Sequence, residues 1–196
     1  ASPGVVRADA ADDYEPSAAF GFDVQVTARS ANSYLMGAYA PEAFWDGRAG
    51  RTFVDPDTGE VLIPIGGALE NQVLGPPVSD VEMAHEARDW SAVTAKLALA
   101  QPLALATDLP ADVAAAITTH PTYSELFEDA FGTAQITVAR IAFAIATYER
   151  TLVPNQTPWD RFIAGDNSAM TQNQINGWNT FLAPQSNCNL CHVPPV

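Results

Sequence analysis

The sequence predicts a mainly α-helical protein with one small β-hairpin insertion near residues 52–64. Apolar residues recur at helical spacing in several segments, and Ser, Thr, Pro and Gly residues stand at the ends of those segments. One stretch alone combines β-branched residues with a tight turn signal. Hydrophobic residues make up 47% of the 196 residues and charged residues 16%, which is typical of a globular protein.

Composition argues against two classes of function. The formal net charge of −14 would repel a polyanion, so the sequence predicts no nucleic-acid partner. No apolar run approaches the roughly eighteen residues that a membrane helix needs, so it predicts no membrane span. The two cysteines are separated by two residues, a spacing that suits a redox dithiol or a cofactor attachment better than a structural disulfide.

The first half of the chain contains the predicted hairpin and one long helix. Residues 1–30 show no sustained period and are expected to be mostly irregular. In "TFVDPDTGEVLIP" (52–64), the turn signal "DPDTG" separates two β-branched stretches. Residues 79–100 carry apolar residues at helical spacing, and Ser79 and Glu82 stand in capping-box register at the start of that segment.

Three further helices are predicted before residue 155. Residues 109–119 and 121–132 form two short helical segments, and Gly132 ends the second. Residues 136–154 are predicted to form a core helix that Pro154 ends. Its predicted buried stripe consists of Ile141, Ile145, Tyr148 and Leu152.

The last helix leads directly into the cysteine motif. It is predicted over residues 171–183, with Thr171 and Gln174 as its capping box. The polar stretch near 154–170 is the best candidate for a domain boundary.

The strongest chemical signal is "SNCNLCHVPP" (186–195), which holds Cys188, Cys191 and His192. C-x-x-C-H is the attachment pattern of haem c, in which both thiols bind the haem and the histidine is the proximal iron ligand. A thioredoxin-like dithiol would need a βαβ context, and a zinc site would need further ligands nearby. The pattern therefore favours haem over both alternatives.

The second axial ligand of such a haem is left open by the sequence. Four residues follow His192 in the sequence, so the ligand comes either from upstream or from a longer chain. The upstream candidates are Met36, Met83, Met170, His85 and His120.

Three stretches ahead of the motif carry a resemblance to a known family. They are "FWDGRA" (44–49), "LENQVLGPPVSDVEM" (69–83) and "IAFAIATYERTLVPNQTPWDRFIAGD" (141–166). In this order they resemble the bacterial dihaem cytochrome c peroxidases, a family that includes the enzymes that mature tryptophylquinone cofactors.

The resemblance implies two cytochrome c-like helical domains, each with its own C-x-x-C-H. Residues 1–153 would be an N-terminal peroxidatic-haem domain without its first haem motif, and residues 154–196 the start of a truncated electron-transfer haem domain. The sequence is therefore expected to be the middle of a longer protein, with one haem c in this chain and two in the whole. A short protein with a single haem is the alternative.

The resemblance also implies roles for individual residues. Trp45 would lie between the two haems and help electrons to cross. Gln72 and Glu82 would line the peroxidatic pocket, with Glu82 as the acid and base that moves a proton between the oxygens of hydrogen peroxide. Asp46 and Arg48 would form an ion pair or contact a haem propionate. The competing interpretations are a core aromatic for Trp45, an exposed amide for Gln72 and a helix cap for Glu82.

The sequence departs from the family in three places. Extra residues, including the predicted hairpin, lie between "FWDGRA" and "LENQ". No histidine precedes His85, so the peroxidatic iron would be open without a reductive switch, as in the tryptophylquinone-maturing branch. The family holds a calcium ion partly through an asparagine, at the position that Ser30 occupies here, so Ser30 is the candidate calcium residue.

The function that the resemblance implies is reduction of hydrogen peroxide in the periplasm, after export. Electrons would come from a small donor cytochrome or copper protein, and a homodimer is left open. One alternative is a dihaem oxidase that acts on a protein or organic substrate through high-valent iron. Another is an electron-transfer subunit of a cytochrome assembly with no turnover of its own.

Overall fold

The computed structural model describes residues 15–18, 21–23, 26, 31, 33–85 and 87–192. This part of the chain is mainly helical and contains one two-stranded antiparallel sheet, which confirms the predicted fold class. Most of the predicted irregular segment 1–30 lies outside the described residues. Within the described ranges, every helix is too short or too polar to cross a bilayer.

The chain divides into two compact units, Ala1–Val153 and Pro154–Val196. The assignment of the first unit to a peroxidatic haem and of the second to an electron-transfer haem remains a prediction.

The hairpin of the first unit pairs β1 (Phe53–Val54) with β2 (Val61–Ile63). Its turn is closed by hydrogen bonds from the Asp55 N–H to the Glu60 carbonyl at 2.8 Å and from the Gly59 N–H to the Asp55 carbonyl at 2.9 Å. Gly59 adopts a φ of +75°, a left-handed conformation that glycine reaches without a steric penalty. The predicted hairpin is therefore confirmed.

Helix α1 (Ala68–Val73) follows the hairpin, and a 3-10 turn (Pro76–Val78) follows α1. The predicted helix over 79–100 is only partly correct, because α2 spans Trp90–Leu99 and residues 80–83 form a turn. Ala87 adopts a left-handed φ of +60°, which interrupts any helix from 79. The side chain of Asp89 then caps α2 by accepting from the Ala92 N–H at 2.8 Å.

Three predicted helices are present with slightly shorter bounds. They are α3 (Ala111–Thr119), α4 (Tyr123–Phe131) and α5 (Val138–Thr151). A capping box of Thr122 and Glu125 starts α4, and Gly132 ends it at a φ of +77°.

The core of the first unit lies where α5 packs on α1 and the hairpin. Its buried centre consists of Phe53, Val73, Ala139 and Ala142. The predicted stripe on α5 is wrong in part, because Ile145 is 40% and Tyr148 65% exposed. Ile141 of the predicted stripe is buried, and the other buried residues of α5 are Val138 and the small alanines Ala139, Ala142 and Ala146.

The second unit contains α6 (Pro158–Ile163) and α7 (Gln172–Leu182). The sequence did not predict α6, whereas α7 and its capping box of Thr171 and Gln174 are confirmed. The Trp159 and Trp178 rings lie 4.4 Å apart between centroids and join the two helices. Two 3-10 turns, Pro184–Ser186 and Cys188–Leu190, end the described chain.

Candidate functional site

The C-x-x-C-H residues lie on one tight turn after α7. The His192 N–H donates to the Cys188 carbonyl at 3.0 Å, and the Cys191 N–H donates to the same oxygen at 3.3 Å. Both thiols are free and exposed, and His192 is exposed as well. The backbone thus brings two thiols and an imidazole to a single turn.

Ser186 connects this turn to the end of α7. Its hydroxyl donates to the carbonyls of Phe181 and Ala183, at 2.9 and 2.8 Å. The Cys188 N–H donates to the same Ser186 oxygen at 3.4 Å. The position of Cys188 is therefore determined by the helix that precedes it.

The turn fits haem c by the chemistry of its donors. Two unpaired, exposed thiols can each form a thioether, and the neighbouring imidazole can bind iron. Among the described residues, no group of three or more His, Cys, Asp and Glu side chains is placed to hold a metal ion.

Trp45 lies at the tip of a short loop. The loop is closed by a hydrogen bond from the Ala43 N–H to the Ala49 carbonyl at 2.9 Å. Trp45 is 95% exposed, which excludes the core aromatic interpretation for this chain. The predicted ion pair of Asp46 and Arg48 is present, with the Arg48 Nη1 atom 2.9 Å from Asp46 Oδ1.

Gln72 lies half-buried on the last turn of α1. The preceding residue, Asn71, fixes this helix by donating from Nδ2 to the carbonyls of Gly50 and Thr52, both at 2.7 Å. Those carbonyls flank the start of the hairpin. The half-buried position argues against the exposed amide interpretation of Gln72.

A buried ion pair clamps α1 to α5. Glu70 is 1% exposed, and its two carboxylate oxygens accept from Arg150 Nη1 at 2.6 Å and Nη2 at 2.8 Å. The Arg150 Nη2 atom also donates to the Gly66 carbonyl at 3.1 Å. Gln72 therefore stands on a helix that is held by a bidentate contact two residues earlier.

Glu82 lies half-buried in the turn that follows the 3-10 turn Pro76–Val78. The Ser79 carbonyl accepts from the N–H groups of Glu82 and Ala84, at 3.0 and 2.9 Å. This turn is not the first turn of a helix, so the competing role of Glu82 as a capping-box residue is wrong. Among the described residues, none donates a hydrogen bond to the Glu82 carboxylate.

Sequence reasoning missed three charged residues near this region: Glu70, Glu149 and Arg150. The stretches "LENQ" and "YERT" contain them, but charge alone does not show that they pair or become buried. The Glu149 Oε2 atom is buried without a hydrogen-bond partner among the described residues. Burial raises the pKa of Glu149, Arg150 opposes this rise, and Glu70 adds to it.

The structure places Gln72 and Glu82 on either side of one short 3-10 turn, in the first unit. Ser30, the candidate calcium residue, lies outside the described residues. Cys188, Cys191 and His192 lie in the second unit. The roles assigned to all of these residues remain predictions.

Comparison with known proteins gives a match to a family model described as di-haem cytochrome c peroxidase, over residues 7–168. The chain is 38% identical over 76 residues to cytochrome c551 peroxidase of Nitrosomonas europaea, a match that covers 39% of this chain and 22% of that protein. It is 41% identical over 71 residues to the methylamine utilization protein MauG of Methylophilus methylotrophus, covering 36% and 21%.

The chain also has a longer match, to cytochrome c peroxidase Ccp of Escherichia coli. It is 28% identical over 151 residues and covers 77% of this chain and 23% of that protein. In all three cases, the matched segment spans less than a quarter of the relative's length.

Proposed function

The chain belongs to the di-haem cytochrome c peroxidase family, and from this premise we propose that it is part of an enzyme that reduces hydrogen peroxide to water. Electrons come from a small cytochrome or copper protein in the periplasm. The proposal rests chiefly on Glu82, a half-buried carboxylate that no described residue engages. A carboxylate in this state is available for proton transfer.

Cys188 and Cys191 would hold one haem c through thioether bonds, and His192 would bind its iron. The bound haem supplies the electron-transfer chemistry. Ser186 and the hydrogen bonds to the Cys188 carbonyl keep these three residues on one turn. A second haem, which the di-haem family description implies, would be bound by a C-x-x-C-H motif of its own.

Glu82 would take a proton from one oxygen of hydrogen peroxide and return it to the other, which would leave as water when the O–O bond breaks. The remaining oxygen would become a second water with two electrons from the donor protein and two protons from solvent. Gln72 orients the peroxide through its side-chain amide, which can donate and accept hydrogen bonds. The Glu70–Arg150 clamp fixes the helix that carries Gln72. Trp45 presents an exposed indole that assists the passage of electrons between the redox centres.

Replacement of Glu82 tests this role directly. In the haem-loaded protein, Glu82→Gln keeps the shape of the side chain but cannot take up and release the proton. We expect peroxidase turnover to fall by about 10²–10⁴-fold, as measured by oxidation of a reduced donor cytochrome.

Asp80→Asn is the matched control, because Asp80 is an exposed carboxylate on the same turn. It should leave turnover unchanged, and both variants should keep the haem spectrum. Equal turnover in Glu82→Gln and the unsubstituted protein would contradict the catalytic role of Glu82, whereas absence of peroxidase turnover in both proteins would leave electron transfer as the function.

A second candidate function is oxidation of a protein or organic substrate. The 41% identity to the methylamine utilization protein MauG and the exposed indole of Trp45 favour it. A radical detected on the substrate after peroxide addition would support it over peroxide removal. Loss of that radical in Trp45→Phe would assign the transfer to this side chain.

A further inference from the structure

A cavity of about 370 Å³ lies between the hairpin turn and the loop that leads into α5. The hairpin contributes Asp55, Asp57 and Leu62 to its lining. A second cavity, of about 290 Å³, shares Asp57, Gln135 and Thr137 with the first. Neither cavity includes a residue used in the function proposed above.

One wall of the larger cavity is acidic. The Asp55 Oδ1 atom accepts from the Asp57 N–H at 2.8 Å, which fixes the turn. The Asp57 carboxylate itself forms no hydrogen bond or ion pair with any residue that the structure describes. A carboxylate held on an ordered turn without a protein partner is placed to bind a cationic group.

Arg140 contributes a basic group to the same lining. Arg140 Nη1 donates to the carbonyls of Thr133 and Gln135, at 3.0 and 2.7 Å, and its guanidinium carbon lies 5.2 Å from the Phe131 ring centroid. These contacts hold the side chain in place. A guanidinium has five N–H donors, and those beyond Nη1 have no acceptor among the described residues.

Asp57 and Arg140 line the same cavity, and Leu62, Phe131 and Phe143 give it an apolar floor. Within the described part of the chain, neither Asp55 nor Asp57 forms an ion pair with Arg140. The volume falls within the range of about 300–1,000 Å³ that is common for small-molecule sites.

We propose that this cavity binds a small zwitterion, an α-amino acid with an apolar side chain. Its ammonium group binds Asp57, its carboxylate binds Arg140, and its side chain lies on the apolar floor. A simple amine would leave the free Arg140 donors without an acceptor, and a simple carboxylate would face the Asp57 charge. A zwitterion offers an oppositely charged partner to Asp57 and to Arg140 at the same time.

The test is isothermal titration of the haem-loaded protein with three probes: L-leucine, 3-methylbutylamine and 4-methylpentanoate. The amine lacks the carboxylate of leucine, and the acid lacks its ammonium group. We expect leucine to bind at least about tenfold more tightly than either analogue, because each analogue loses one charge-assisted contact. The readout is binding, so it does not depend on peroxidase turnover.

Two variants locate the site. Asp57→Asn should weaken leucine binding by about tenfold, whereas Glu60→Gln, on the same turn but outside the cavity lining, should not. Equal binding of the amine and leucine would overturn the proposal in favour of a simple cation site. Unchanged leucine affinity in Asp57→Asn, or no binding of L-leucine and L-phenylalanine at millimolar concentration, would also overturn it.

Discussion

Glu70 and Arg150 show how burial changes the contribution of an ion pair to the stability of the fold. The Glu70 side chain is 2% exposed and that of Arg150 35%, and they form a bidentate pair between α1 and α5. The Arg48 Nη1 atom donates to both carboxylate oxygens of Asp46, but these two side chains are 48% and 40% exposed. Removal of Arg150 would leave the Glu70 charge buried without a partner, whereas water can replace Arg48 beside the exposed Asp46.

We therefore expect Arg150→Met to lower the free energy of unfolding by about 3 kcal/mol or more, since Glu70 is left buried and unpaired. Arg48→Met is the matched control and should have little effect. Urea denaturation of both variants measures the difference. Equal losses would show that the buried pair contributes no more than the exposed pair.

Glu149 makes the free energy of unfolding depend on pH, and the sign of this dependence is opposite to that of a salt-bridged carboxylate. Burial raises its pKa above the usual 4.5, so the folded protein binds this proton more tightly than the unfolded chain does. Its stabilising contribution is complete below the usual pKa and is lost as the pH rises through the folded-state pKa.

Glu149→Gln should accordingly raise the free energy of unfolding at pH 7 and leave it nearly unchanged at pH 4. Urea denaturation at both pH values measures this. Glu128→Gln, an exposed glutamate on α4, is the control and should have little effect at either pH. A gain of equal size at both pH values for Glu149→Gln would show that the effect is not one of protonation.

At the scale of elements, local patterns predicted some helix starts correctly and one wrongly. Thr171 and Gln174 form the predicted capping box of α7. Ser79 and Glu82 have the same spacing, yet α2 begins at Trp90, because Ala87 is left-handed and Asp89 provides the cap. The capping pattern indicates which side chains can form capping hydrogen bonds. Whether a helix forms depends on the backbone conformation of the residues that follow.

The junction of the hairpin and α1 depends on the absence of a side chain at Gly67. A Cβ atom there would lie 2.6 Å from the Cβ atom and 2.9 Å from the backbone nitrogen of Phe53. Gly67→Ala should lower the free energy of unfolding by about 1–3 kcal/mol, because backbone atoms must move. Thermal denaturation of this variant measures the loss.

Gly75→Ala is the matched control for that substitution, since its nearest contact would be 3.8 Å away and its φ of −84° suits alanine. It should leave the melting temperature nearly unchanged. A similar loss in both variants would trace the effect to backbone flexibility instead of a clash.

At the scale of the whole molecule, the chain contains one C-x-x-C-H pattern, and the family to which it belongs is described as di-haem. The matched segments cover less than a quarter of each relative compared above. We expect the full protein to have an intact mass above 20.8 kDa and to carry two covalent haems. Mass spectrometry of the native protein, with a haem count per chain, measures both.

Replacement of both Cys188 and Cys191 by Ser should reduce the covalent haem count from two to one. Haem staining after denaturing electrophoresis, together with the intact mass, reports the change. A native protein of this length with a single haem would contradict the two-haem proposal and favour an electron-transfer subunit.

The sequence by itself determined the mainly helical class, the hairpin, the family and the C-x-x-C-H pattern, because each depends on local spacing or short-range pattern. Only the tertiary structure decided that Glu70 pairs with Arg150, that Trp45 is exposed, and that Asp57 and Arg140 face one cavity. These features either bring together residues that are far apart in the chain, or depend on which side chains remain exposed to solvent once the protein has folded. Residue spacing along the chain specifies neither.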